Sequence, residues 1–176
     1  MASTLSAEVL LKYSNPVFIE TGTLNGDGVR LALDCGFERI YSIDINLEVV
    51  LRNTAQFLDY GERVHILHGD SFQVLQTLLP TIQEPITFWL DGHWDGGPEG
   101  QYRCPLLHEL DVIAQQETKT HTLLIDDRRL FGNESHHWGR EVTESAVLDK
   151  IRAINPKYQI TYENGHVPLD IIAASV

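Results

Sequence analysis

Acidic residues stand at the ends of a series of short apolar runs. Glu20 closes PVFIE, Asp44 lies in IYSIDIN, Asp70 in VHILHGDS, Asp91 in TFWLDGH, and Asp126 and Asp127 close TLLIDD. A carboxylate accepts hydrogen bonds from hydroxyls and amines, and several together hold a hard divalent cation. His93 follows Asp91 by two residues, and its imidazole changes charge near neutral pH, which suits a general base. The stretch after Glu20, TGTLNGDGV, contains Gly22, Gly26 and Gly28. Glycines there allow a tight turn into a helix and a close approach of backbone to ligand. The dinucleotide spacing GxGxxG is not met, because Leu24 and Leu31 stand where glycines are required. A loop that starts from an acid repels a pyrophosphate and suits a ligand with positive charge or hydrogen-bond donors.

Taken singly, each acid has an ordinary explanation. Asp70 is a good cap for a helix beginning at Ser71. Asp126-Asp127 followed by Arg128-Arg129 reads as an exposed ion-paired turn. Repeated at one strand end after another, the acids form a row along one crevice.

The elements that must position them alternate. Apolar, β-branched runs at Val17–Glu20, Ile40–Ile45, Val64–Leu67, Ile86–Leu90 and Thr122–Ile125 read as strands. Helical patterns lie between them. Leu47, Val50, Leu51, Thr54 and Leu58 share one predicted helical face, and Leu106, Leu107, Leu110 and Ile113 share another behind Pro105. Ser71–Leu79 is a shorter predicted helix before Pro80, and Val142–Ile154 one that stops before Pro156. YQITYEN and LDIIAASV, joined by a turn around Gly165, predict an antiparallel hairpin at the sheet edge. The expected fold is α/β: a Rossmann-like open sheet of about seven strands, mostly parallel, ending in an antiparallel hairpin, with helices on both faces. The 176 residues suit a single domain, 1–176. In such a sheet ligands bind beyond the carboxyl ends of the strands, where a second-strand acid such as Asp44 accepts from ribose hydroxyls. Asp70 and Ser71 are placed to reach an adenine.

With ETGTLNGDGV, IDIN, GDS and the terminal hairpin in place, the chain resembles the class I S-adenosylmethionine-dependent methyltransferases from about Pro16 to Val176. The resemblance implies that Glu20 and Gly22 lie near the methionine part of S-adenosylmethionine, that Asp44 holds the ribose, that Asp70 and Ser71 face the adenine, and that Thr23, Ile45 and Asp91 complete the cofactor-binding set. FWLDGH followed by LLIDD is similar to metal-dependent O-methyltransferases of the macrocin type, which act on sugar or phenolic hydroxyls of small natural products. That likeness implies Mg²⁺, or another hard divalent cation, on Asp91, Asp126 and Asp127, with His93 as general base. The acceptor is then a small hydroxylated molecule. The glycine-rich segment with Trp94 and Tyr102 is expected to form a loop or lid over it, and Trp138 to line its pocket or the core. Because little precedes the first strand, a second copy of the chain in a homo-oligomer is one way to complete the acceptor site.

Composition narrows the partners. A formal net charge of −12 repels phosphate backbones, so no nucleic acid is expected. No apolar run reaches membrane-spanning length, and the first residues lack a secretory signal pattern. Cys35 and Cys104 lack a CxxC spacing and fit packing roles in a reducing cytoplasm. Competing readings are a methyltransferase whose aspartates are structural, and a module that binds S-adenosylmethionine without turnover. A nicotinamide dehydrogenase is opposed by the missing fingerprint.

Overall fold

A computed structural model describes residues 4–93, 98 and 100–176. Seven strands form one sheet in the order β3-β2-β1-β4-β5-β7-β6. They are β1 (Val17–Thr21), β2 (Arg39–Asp44), β3 (Val64–His68), β4 (Ile86–Leu90), β5 (Thr122–Ile125), β6 (Gln159–Glu163) and β7 (Ile171–Ser175). The first five are parallel. β7 runs antiparallel between β5 and β6, so the terminal pair is antiparallel with β6 at the edge. Every residue of β1, β4 and β5 is buried, as expected for parallel strands covered on both faces.

Helices α1 (Ala7–Lys12), α2 (Asp27–Asp34), α3 (Leu47–Gln56), α4 (Ser71–Leu78), α5 (Leu106–Ala114) and α6 (Glu144–Ile154) cover the sheet. Val9, Leu10, Val29 and Ala32 of α1 and α2 pack with Phe18, Ile40, Trp89 and Leu124 on one face. Leu75, Leu110, Val147 and Ile151 of α4, α5 and α6 pack with Ile19, Phe88 and Leu123 on the other. The two apolar layers give the sheet its three-layer architecture. Among the described residues no helix is long and apolar enough to cross a membrane.

Local chemistry shifts several expected boundaries. α1 was not anticipated. It starts at Ser6, whose side chain accepts from the Val9 N–H. α6 begins at Glu144 rather than Val142, because Thr143 caps it by accepting from the Ala146 N–H. α3 differs most. Val50 is buried, but Leu51 is 61% exposed, Leu47 is exposed, and Leu58 lies beyond the helix in an exposed 3-10 turn. A polar residue orients this helix. Asn53 is fully buried and donates to the Leu24 and Val49 carbonyls at 3.0 and 2.9 Å. A buried amide must find partners, and these lie in the loop after β1.

Candidate active site at the carboxyl ends of the strands

The loop after β1 is shaped by two close approaches. Gly22 has φ of +90°, and a Cβ there would stand 2.7 Å from the Asp91 carbonyl oxygen. Its N–H donates to the Ile43 carbonyl at 2.8 Å. A Cβ on Gly28 would collide with the Glu20 carboxylate, so glycine at this point of α2 makes room for the acid. Glu20 is 2% exposed. Its Oε1 accepts from Ser42 at 2.6 Å, and Ser42 is bonded in turn to Thr23 at 2.6 Å. Burial pushes the Glu20 carboxyl up to about 8 against the Ser42 hydrogen bond, with Asp44 and Asp27 adding to the rise.

Asp44 lies at the end of β2, partly exposed to the cleft. Its two oxygens accept from the Leu24 N–H at 3.2 Å and the Asn46 N–H at 2.8 Å. Ile45 follows it into the cleft. Asp70 occupies the N-cap position of α4 but makes no side-chain cap bond. It accepts instead from the Gln101 N–H at 2.7 Å, which ties the segment after Gly100 to the cleft. Ser71 is turned inward and donates to Glu109 at 2.5 Å. Gly22, Asp44, Ile45, Asp70, Ser71 and His93 all line one cleft of about 100 Å³, closed on its far side by Pro98, Gly100 and Tyr102. Trp94 lies outside the described residues.

Next to this cleft is a smaller recess lined by Asp91, His93, Asp126, Asp127, Phe131 and Trp138. The Asp91 and Gly92 N–H groups both donate to Thr21 Oγ1, at 3.3 and 3.2 Å, which fixes the turn after β4. The His93 ring stands between two carboxylates: Nδ1 is 3.5 Å from Asp91, and Nε2 is 3.4 Å from Asp127. Its ring also packs at 4.9 Å from that of Trp138. Asp127 adopts a left-handed conformation, φ +60°. Arg129 bridges it, at 2.5 Å, to Asp170 just before β7. Asp126 accepts from Thr4 through Oδ2, while its Oδ1 is buried with no hydrogen-bond partner among the described residues. Desolvation, then the charges of Asp126 and Asp127, hold the Asp91 carboxyl well above the usual carboxylate range. Burial lifts Asp126 to about 6, with Thr4 opposing and Asp127 and Asp170 reinforcing.

The three aspartates expected to hold a metal therefore divide between two overlapping clusters, Asp91–His93–Asp127 and Asp126–Asp127–Asp170, each with ligand atoms within 4.8 Å of one another. The donor set fits a divalent cation: it is rich in carboxylate oxygens, includes one imidazole, and contains the unpartnered Asp126 oxygen. Arg129 already compensates Asp127 and Asp170, which leaves Asp91, His93 and Asp126 as the less compensated side.

Sequence reasoning did not single out Glu109, Asp170 or Thr4, and it read Arg129 only as part of an ion-paired turn with Asp127, a pair that forms at a buried rather than an exposed aspartate. Glu109 is fully buried on α5, with Oε2 unpartnered. Burial raises it to about 7, while the Ser71 and Thr21 hydroxyls hold it down. Its signal was present, since an acid at position 109 interrupts the apolar stripe of Leu106, Leu110 and Ile113. Asp170, just before the run IIAAS, is a similar signal. The link from Thr4 to Asp126 spans the chain and has none.

No protein-family model matches the chain, and no curated protein matches it in sequence. Solved structures do match in fold. An O-methyltransferase from Bacillus cereus in complex with SAH is 15% identical, with a TM-score of 0.63 over 97% of this chain and 78% of that one. A candidate rRNA methylase from Clostridium thermocellum is 13% identical, with a TM-score of 0.64 over 99% of this chain and 98% of that one. Spermidine synthase from Thermotoga maritima is 9% identical, with a TM-score of 0.61 over 98% of this chain and 57% of that one. The chain has the Rossmann-like fold of class I methyltransferases. The same fold in a spermidine synthase means that the chemistry must be argued from the site.

Proposed function

We propose that the chain is an S-adenosylmethionine-dependent O-methyltransferase that uses a divalent cation and acts on a hydroxyl of a small molecule, a sugar or a phenol. The observation that carries this reading is His93 standing between Asp91 and Asp127, with Asp126 in the same recess, beside the cleft of Asp44 and Asp70. An acidic pocket next to a second acidic recess suits a cationic sulfonium donor and an acceptor hydroxyl that must lose a proton.

Asp44 presents its carboxylate to the cleft, where it receives ribose hydroxyls. Gly22 brings the β1 loop against the Asp91 backbone, so the methionine end of the donor is held at the mouth of the recess. Mg²⁺ or a similar cation would be held by Asp91, Asp126 and Asp127. When bound, it supplies positive charge that lowers the pKa of an acceptor hydroxyl and fixes its direction. Asp91 and Asp127 orient the His93 ring from both sides, and His93 takes the hydroxyl proton as methyl transfer proceeds. Trp138 and Phe131 form an aromatic wall that excludes water from the recess. The net charge of −12 favours a small acceptor over RNA. A metal-independent methyltransferase is the second reading. Arg129 favours it, because it already places a positive charge on Asp127 and Asp170.

The test is calorimetric titration of S-adenosylhomocysteine into the protein, with Mg²⁺ and then with EDTA, followed by methyl-transfer assays on catechols and deoxysugars. Saturable binding, lost or weakened about tenfold or more in Asp44→Ala, is expected. Transfer should stop in EDTA and in Asp126→Asn. Absence of binding in both conditions overturns the methyltransferase reading, and full activity in EDTA leaves the metal-independent one.

A further inference from the structure

The proposed mechanism gives no part to Glu109. The residue sits in the first turn of α5, among the buried apolar side chains of Leu106, Leu110 and Ile113, and is itself fully buried. A carboxyl in such a place is unfavourable unless hydrogen bonds answer it. Its Oε2 is enclosed and has no partner among the described residues. Glu109 therefore meets neither donor nor acceptor directly, and acts only through the groups bonded to it.

Two hydroxyls are bonded to it. Ser71, the first residue of α4, donates to Oε1 at 2.5 Å. Ser71 also lines the cleft of Asp44 and Asp70, so this bond holds part of the donor side in place. The other hydroxyl belongs to Thr21, the last residue of β1, and it too donates to the Glu109 carboxyl. A hydroxyl has one proton to give and two lone pairs to accept with. Both lone pairs of Thr21 are engaged, by the Asp91 N–H at 3.3 Å and the Gly92 N–H at 3.2 Å. Donation to Glu109 therefore sets the rotation of the hydroxyl that receives these two amides.

The backbone after β4 passes close to this point. A Cβ on Gly92 would stand 3.0 Å from Thr21 Oγ1 and 3.5 Å from Glu109 Oε1. The turn held in this way carries Asp91 and leads directly to His93. One carboxyl thus joins α4 on the side of the donor cleft to the turn on the side of the recess. Side chains that must act on one another need such support, because a misplacement of about 1 Å is enough to cost a hundredfold in rate.

We propose that Glu109 is a positioning residue of the methyl transfer, bracing Ser71 in the donor cleft and, through Thr21, the Asp91–Gly92 turn that places His93 in the recess. The assignment rests on the proposed reading of the cleft as the site of S-adenosylmethionine.

The test compares Glu109→Leu, which continues the apolar stripe of α5, with Glu109→Gln, which keeps an oxygen to accept from the two hydroxyls. Calorimetric affinity for S-adenosylhomocysteine reads the Ser71 arm, and amide hydrogen exchange at Asp91 and Gly92, followed by NMR, reads the Thr21 arm. Glu109→Leu should weaken S-adenosylhomocysteine about tenfold and speed exchange at both amides about tenfold, while amides of β6 and β7 keep their wild-type rates. Glu109→Gln should restore both readouts to within about threefold of wild type. A change at only one readout, or at neither, overturns the proposal. So does faster exchange spread equally over β6 and β7, which would make Glu109 a stabiliser of the whole fold and nothing more. Should Glu109→Leu not fold, Ser71→Ala and Thr21→Val carry the test: unchanged affinity in the first, or unchanged exchange at Asp91 and Gly92 in the second, overturns it. Failure of the wild type itself to bind S-adenosylhomocysteine would overturn the reading of the cleft instead, so the two failures are told apart.

Discussion

Replacing Glu20 by glutamine should stabilise the protein in mildly alkaline solution. Glu20 is buried, and its carboxyl titrates at about 8 against an ordinary value of 4.5. The native state therefore keeps a proton that the unfolded chain releases between those values. Stability is full below the unfolded pKa and is lost as pH rises toward and through 8. Between about pH 5.5 and about pH 8.5, this one group costs the wild type about 3 kcal/mol. Screening does not reduce the figure much, because the side chain is almost wholly removed from water. Glutamine keeps the volume and retains an oxygen to accept from Ser42, but it cannot titrate. For a domain of this size, 3 kcal/mol corresponds to roughly 6–12 °C in Tm. The assay is thermal unfolding of both proteins across that pH range. Other groups titrate as well, so the decisive quantity is the difference between the two profiles. The wild type should fall relative to Glu20→Gln by that amount as pH rises. Parallel profiles would show that Glu20 ionises freely in the native state, and the burial argument for the β1 loop would fail.

Two further substitutions probe the same end of the sheet. Glu109→Gln should remove a second alkaline loss: with the native carboxyl at about 7, the wild type gives up about 3 kcal/mol between acid and mildly alkaline pH that the variant retains, as read from urea midpoints. Gly22→Ala forces a side chain into a left-handed conformation and against the Asp91 carbonyl, so S-adenosylhomocysteine affinity by calorimetry should fall about tenfold or more with the far-ultraviolet spectrum unchanged.

The strands could be read from the sequence because the central ones are buried on both faces and therefore appear as unbroken apolar runs. β1, β4 and β5 are of this kind, and the acids that end β2 or follow β3, β4 and β5 were visible for the same reason. Helix orientation was less legible. The stripe of Leu47, Leu51 and Leu58 pointed to one buried face of α3, but Asn53 sets the rotation through hydrogen bonds to the β1 loop that no periodicity encodes. The same limit applies to the site. Attention to strand ends found Asp91, Asp126 and Asp127, whereas Glu109 comes from a helix and Asp170 from just before an antiparallel strand. Asp70 was open to two readings, cap or ligand group, and only its bond to the Gln101 N–H shows that it does not cap α4.

The charge balance of the recess argues for the cation. Asp91, Asp126, Asp127 and Asp170 converge, and Arg129 answers two of them. The remaining negative charge must be met in one of two ways. Protons can meet it, which is the condition expressed by the raised Asp91 and Asp126 carboxyls. Alternatively a divalent ion can meet it by displacing those protons, so that metal binding and proton release become linked. A site built only for structure would gain from replacing one of these acids by an amide, since that removes the repulsion while keeping a hydrogen bond to Thr4 or His93. Four carboxylates beside an imidazole suit the proposed function, in which the charge itself is used: first to hold a cation, then to steady a histidine that takes the acceptor's proton.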